Sequence, residues 1–265
     1  MKNWRLRSVG LAVLLLLAAA GMRCGGEDSP ASPSGHDLDK NPLPRFVRAN
    51  FIDPGRMARI SRFRSAAGGD YSDDLEHCRS MLHYFEPRPD LEWSSLAVFS
   101  PVNGKIVRIV QNQPVLEMVI QAQEYPDVEF HLFNLSPLES LRAGGSVRAG
   151  ESVGSYVERQ TPAAIAVSVN TTRGRRLISW FDIITDTLWF TYGECGIANA
   201  SEFIISKEAR DTDPLTCSGG LFTNAGHLED WTVLNCHWDI EAWGIPRFVD
   251  VNYIDFDRVY KIDRK

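Results

Sequence analysis

The sequence predicts a mainly β protein, with a barrel or sandwich core followed by a mixed C-terminal extension. Two observations carry this reading. From about Trp93 the chain runs in short stretches whose apolar and polar residues alternate, the period of a half-buried strand. Glycine punctuates those stretches, most densely in RAGGSVRAGESVGSY at 142–156, where Gly144, Gly145, Gly150 and Gly154 surround Val147 and Val153. Because glycine adopts positive φ without steric cost, this pattern predicts corners at which a strand passes from one sheet to another.

Composition sets the outer bounds. The 265 residues are 44% hydrophobic and 23% charged, enough apolar mass for a sizeable core. A net charge of -6 and a pI near 5.6 leave no basic stripe for a phosphate backbone, so nucleic acid is excluded as a partner.

The elements follow in order. Lys2, Arg5 and Arg7 precede an apolar run from Val9 to Ala20, which reads as an export leader over residues 1–24. Two cleavage readings stay open. Ala18-Ala19-Ala20 suits an ordinary signal peptidase; Cys24 offers the lipid-bearing cysteine of a bacterial lipoprotein, although Arg23 before it departs from the small residue expected there. The Gly, Ser and Pro-rich stretch that follows, within 25–45, reads as a flexible tether, as a lipid anchor would need. Residues 46–90 form a segment expected to pack on the core. Its YSDDLEHCRSMLHY stretch, with Phe85 directly after it, presents Met81, Leu82, Tyr84 and Phe85 for that purpose.

The core itself is assigned to 91–185. LAVFSPVNGKIVRIVQ at 96–111 alternates on both sides of Asn103-Gly104, a dipeptide that predicts a tight hairpin turn. LEMVIQAQ (116–123), VEFHLFNL (128–135), AIAVSVN (164–170) and RLISWFDII (176–184) are read as further strands. In the extension, 186–265, an aromatic run after Thr185 looks strand-like, and Ser206, Lys207 and Glu208 open a helical turn that Pro214 ends. Arg210, Asp211 and Asp213 suggest an ion network. Trp231, Trp238 and Trp243 form either a small second core or an exposed platform for a glycan or peptide. The alternating stretch at 248–262 reads as a closing strand.

Of five cysteines, Cys78, Cys195, Cys217 and Cys236 remain if Cys24 is the anchor, an even number that predicts two disulfides in an oxidising compartment. Three pairings are open. Nearness in sequence favours Cys217 with Cys236, leaving Cys78 to reach Cys195. No Cys-x-x-Cys spacing supports a structural zinc site.

The order of VFSPVNGKIV, EFHLFNL and GSVRAGESVGSY, over roughly 90–185, resembles the lysostaphin-type zinc endopeptidases of bacterial cell walls. They match that family's SP-x-x-G-x-V, Y-x-H-L and G-x-x-V-x-x-G-x-x-(I/V)-G blocks. The last block is shared with lipoyl and biotinyl domains and membrane-fusion proteins, so the resemblance implies a barrel-sandwich hybrid, a peptidase-like β core. Lys105 lacks the Met or Asp that flanks a modified carrier lysine. The family's ligands are another matter. Its H-x-H position falls on Ala164-Ile165-Ala166, where methyl groups cannot bind metal, and its H-x-x-x-D motif is missing, with Glu86 four residues before Asp90. His131 alone stands in place, as a residual site histidine or as a satisfied strand histidine.

The resemblance therefore implies the fold and not the activity. It points to a non-catalytic envelope protein, periplasmic or surface-exposed and membrane-anchored, that binds or scaffolds near peptidoglycan or activates a partner hydrolase, with no cofactor. One alternative is a zinc metallohydrolase whose ligands have moved to Asp73, Asp74, His77 and His83, with His131. Another is an envelope adaptor resembling the hybrid domain of membrane-fusion proteins, though no heptad-patterned helical hairpin accompanies it.

Overall fold

The N-terminal stretch supplies two strands, β1 (Met57–Ser61) and β2 (His83–Pro87). The centre supplies β3 (Ala97–Phe99), β4 (Gly104–Val110), β5 (Glu117–Ala122), β6 (Val128–Phe133), β7 (Leu135–Pro137), β8 (Ser146–Val147), β9 (Ser152–Tyr156), β10 (Ala163–Thr171) and β11 (Gly174–Ile178). Helices α1 (Trp180–Ile183), α2 (Asp186–Gly193) and α3 (Lys207–Thr212) follow, then β12 (Cys217–Ser218), β13 (Leu221–Phe222) and β14 (Trp231–Val233). The structure is a computed structural model, which describes residues 36–110, 116–157 and 162–236. The leader with Cys24, the first part of the tether, Trp238, Trp243 and the expected closing strand at 248–262 lie outside the described residues.

The fold is mainly β, as expected. Nine strands form one sheet in the order β14-β1-β2-β10-β6-β5-β4-β8, with β11 pairing the second half of β10, while β3-β9-β7 make a smaller sheet and β12–β13 a short ribbon. Among the described residues the large sheet does not close into a barrel. The main core lies between the two sheets, where Ile106, Met118, Ile120 and Phe130 of the large one meet Val98, Leu135, Val153 and Tyr156 of the small one. Tyr156 is buried and donates its hydroxyl to the Phe85 carbonyl (3.0 Å).

The expected sheet changes occur where the chain can turn. Gly150, at φ 78°, separates β8 in the large sheet from β9 in the small one. Asn134 makes the same transfer between β6 and β7 at φ 57°, a conformation that asparagine tolerates better than most side chains. Gly154 has a different reason for being glycine: a Cβ there would collide with the Ser136 carbonyl of the neighbouring β7.

Three local expectations are corrected. Asn103-Gly104 does not make a hairpin, because β3 pairs β9 whereas β4 pairs β5 and β8. The dipeptide is instead a corner between sheets: the Asn103 side chain accepts from Ala149 N (3.0 Å), and a Cβ on Gly104 would strike the Gln121 carbonyl. The strand expected over 176–184 stops at Ile178, since Ser179 caps α1 by accepting from Phe181 N. The aromatic run after Thr185 is helix α2, capped by Thr185 through Leu188 N, with Asp186 in its first turn. By contrast α3 begins where its cap predicted, at Ser206, whose side chain accepts from Ala209 N.

Both disulfides form, but with another pairing: Cys78 bonds Cys217 and Cys195 bonds Cys236. Sequence nearness misled. Cys217 sits on the β12–β13 ribbon, whose Gly220 carbonyl accepts from Asp70 N near Cys78, whereas Asn235 N donates to the Cys195 carbonyl and seats Cys236 beside it.

Candidate functional site

β10 lies inside the large sheet and is buried on both faces over Ala163–Val169. Its alternation puts Ile165, Val167 and Val169 into the main core and turns Ala164, Ala166 and Ser168 to the opposite face. That face carries the H-x-H position suggested by the resemblance. Ala166 lies opposite His131 on β6, while Ala164 is flanked by Phe133 on β6 and Tyr84 on β2.

A strap covers this face. Residues 62–82 link β1 to β2, and Phe63, Met81 and Leu82 form a second apolar cluster with Ala164, Ala166 and Leu177. Tyr71, Tyr84, Phe133 and Ile204 pack around it. Burying each large side chain contributes about 1.5–3 kcal/mol, so the strap is a structural layer of the fold. Met81 and Leu82 thus pack in this second cluster, on the face opposite the main core, while Phe85 lies in the main core.

The acidic residues of the strap hold its own shape. The Asp73 carboxylate accepts from Leu75 N and Glu76 N (both 2.8 Å) and, across the gap to β11, from Leu177 N (2.9 Å). Asp74 accepts from Arg175 N (2.7 Å). Glu76, 3% exposed, receives a two-pronged bond from Arg64 (2.7 and 2.8 Å) and a third from Arg79 (2.6 Å). Arg210, fully buried, donates to the Arg64 carbonyl (2.8 Å) and pairs with Asp213, while Asp211 pairs with Arg79.

The two candidate histidines near β10 point to opposite faces. His83 pairs with Ile165 and lies in the interior, donating from Nδ1 to the Ser61 carbonyl (2.8 Å) and meeting Ser179 Oγ at Nε2 (2.9 Å). Burial pushes its imidazole down from 6.5 to about 4. His77 is exposed. Thus Asp73, Asp74, His77, His83 and His131 are not brought to one point, and among the described residues no three His, Cys, Asp or Glu side chains could hold a metal ion.

His131 belongs to a hydrogen-bonded line that crosses four strands. Its Nδ1 donates to Glu117 on β5 (2.9 Å), which leaves Nε2 to accept from Ser168 Oγ on β10 (2.9 Å). Arg108 on β4 holds the other Glu117 oxygen (2.8 Å). Burial alone would raise the Glu117 carboxyl, but hydrogen bonds from His131 and Arg108 outweigh it and hold the group below its ordinary value. The order hydroxyl, imidazole, carboxylate is that of a base-activated nucleophile. Ser168, however, is only 1% exposed and lies opposite Leu177 of β11, so the line acts as a polar brace within the sheet. The sequence singled out His131 without Glu117 or Ser168. Alternation hinted at their faces, but only the register Ala166–His131–Val119 brings them together.

Trp231 lies on β14, half-buried, with the Arg59 guanidinium 4.5 Å from its ring centroid. No helix among the described residues is long and apolar enough to cross a membrane.

No protein-family model and no curated protein matches the sequence. Solved structures show a partial likeness. The catalytic domain of lysostaphin from Staphylococcus simulans aligns at 13% identity and a TM-score of 0.32, over 51% of this chain and 92% of that domain. A Ruminococcus gnavus protein described as a glycyl-glycine endopeptidase aligns at 12% identity and TM-score 0.32, over 47% of this chain and 59% of its own. A chain of the SpoIIQ–SpoIIIAH pore-forming complex aligns at 13% identity and TM-score 0.36, over 54% and 92%.

Proposed function

We propose that this chain is a non-catalytic protein of the bacterial cell envelope, a metallopeptidase-like β domain turned to binding or scaffolding at peptidoglycan or on a partner hydrolase. The observation that carries the proposal is the state of Ala164 and Ala166. They occupy the H-x-H position of the resemblance and are buried, 0% and 1% exposed, beneath Phe63, Met81 and Leu82. A catalytic zinc needs three protein ligands and an open position for water, and this apolar layer supplies neither. Two disulfides suit an exported protein, and the leader with Cys24 supports a lipid anchor in the envelope membrane.

The metallohydrolase reading would draw on Asp73 and Asp74, whose oxygens already satisfy backbone N–H groups. The test is metal content by mass spectrometry on untagged protein, with His131→Ala and His77→Ala in parallel, alongside sedimentation with purified peptidoglycan. Metal-free protein that sediments with the wall supports the proposal. Zinc near one per chain, lost in both variants, overturns it.

A further inference from the structure

We propose that the outer edge of β14 is a docking site for the chain's own C-terminal stretch, with residues 249–253 (VDVNY) adding a further antiparallel strand and Val251 opposite Val233. Two strands, β1 and β2, separate this edge from β10, so the pairing and the catalytic state of the Ala164 face are separate questions. β14 ends the large sheet and pairs only with β1. Leu234 N donates to the Ala58 carbonyl (2.9 Å) and Arg62 N to the Asp230 carbonyl (2.7 Å), which fixes the alternation of the ladder. In an antiparallel pair the residues between such bonded positions turn their backbone groups away from the partner, and here these are Trp231 and Val233. Trp231 N donates to the Glu229 side chain (3.2 Å). The N–H and C=O of Val233 and the C=O of Trp231 have no partner among the described residues, and the Val233 side chain is 40% exposed. An apolar residue beside open backbone donors and acceptors is a template for another strand.

The position of the chain's end selects the occupant. The remaining residues, 237–265, set out from the end of β14 itself, because Cys236 is tied to Cys195 and Asn235 N donates to the Cys195 carbonyl (2.9 Å). Within them Val249, Val251 and Tyr253 alternate with Asp250 and Asn252, the period of a strand. With Val251 opposite Val233, Tyr253 faces Trp231 and Phe248 faces Cys236. Residues 237–247 then make the connection, and at about 3.3 Å per residue they reach well beyond the roughly 5 Å between neighbouring strands. Gly244 and Pro246 give that connection turn-forming residues. A segment on so short a tether is present at an effective concentration of about a millimolar, which a second copy of the chain at micromolar concentration does not match. Asp250, Asp255, Asp257, Arg258 and Lys261 put charge on the new outer strand, as an exposed edge requires.

The test follows amide hydrogen exchange residue by residue by NMR on the full chain, on the chain ended after Arg247, and on full-length Val251→Pro, which lacks the N–H that would reach the Val233 carbonyl. The Val233 amide should exchange at least tenfold more slowly in the full chain than in either variant, with Val251 protected alongside it. Exchange in β5, β6 and β10 should be alike in all three, which shows that the variants fold. Val251→Ile keeps both the N–H and the branched side chain and should keep the protection. In the full chain the register also requires a nuclear Overhauser contact between the α-protons of Thr232 and Asn252, a reading that needs no variant. Sedimentation velocity should give a monomer. A Val233 amide that exchanges freely in the folded full chain, protection that survives in both variants, or no contact between Thr232 and Asn252 overturns the proposal. A dimer whose Val233 protection falls on dilution overturns it too, since the occupant is then a second copy. Stoichiometric zinc would instead overturn the non-catalytic reading, whatever β14 pairs with.

Discussion

His131 and Ser168 meet across neighbouring strands, Nε2 to Oγ at 2.9 Å, and the imidazole is oriented for that contact by Glu117 at Nδ1. The pair spends its hydrogen-bonding capacity inside the sheet, so its removal is expected to affect stability. Ser168→Ala leaves the buried Nε2 without its partner and should cost about 1–3 kcal/mol in urea denaturation. His131→Ala should cost at least as much, since it strips both Glu117 and Ser168. Unchanged midpoints for both variants would remove the brace from the account.

His83 makes stability depend on pH. Its folded value lies near 4 and its unfolded value near 6.5, so the unfolded chain binds the proton first as pH falls. Its contribution is complete above about pH 6.5 and is lost progressively down to about pH 4, for a total of about 3 kcal/mol. Denaturation midpoints measured from pH 7.5 to 4 should show this slope in the parent and lose that part of it in His83→Gln.

The disulfide pairing is directly checkable. A non-reducing digest should yield peptides linking Cys78 to Cys217 and Cys195 to Cys236, and none linking Cys217 to Cys236. Replacing Cys195 and Cys236 together by serine opens a loop of 41 residues and should cost about 4 kcal/mol by loop entropy, against about 5 kcal/mol for the longer loop.

Histidines placed at positions 164 and 166 should not create a metal site. Ala164→His with Ala166→His places two imidazoles under Phe63, Met81 and Leu82, where overpacking costs about 1–3 kcal/mol per site. Calorimetry should show a lowered melting temperature and no stabilisation by added zinc. A zinc-dependent rise in Tm would mean that the strap yields to a metal.

Gly154→Ala tests the approach of β9 to β7. The new methyl group meets the Ser136 carbonyl, and the strands must part by enough to cost about 1–3 kcal/mol, read from the urea midpoint.

Elements whose signal is local were legible. The runs at 116–123, 128–135 and 164–170 became β5, β6 and β10, the glycine-rich stretch changed sheets at Gly150, and Ser206 capped α3. Asn103-Gly104 misled because a turn dipeptide does not specify which strands its flanks will pair with. The aromatic run after Thr185 misled because rings fit either a strand or the buried side of a helix, and the cap at Thr185 settled the matter.

By itself the sequence determined the alternating strands, the even set of four cysteines after Cys24, and the methyl side chains at Ala164 and Ala166, which cannot bind a metal. These are properties of residue type and short-range spacing. Only the tertiary structure decided that Cys78 meets Cys217, that Ser168 and Glu117 flank His131, and that the strap lies over Ala164 and Ala166. Each of those joins residues far apart in the chain, and their meeting depends on strand order and register, which many alternating sequences could satisfy in more than one way.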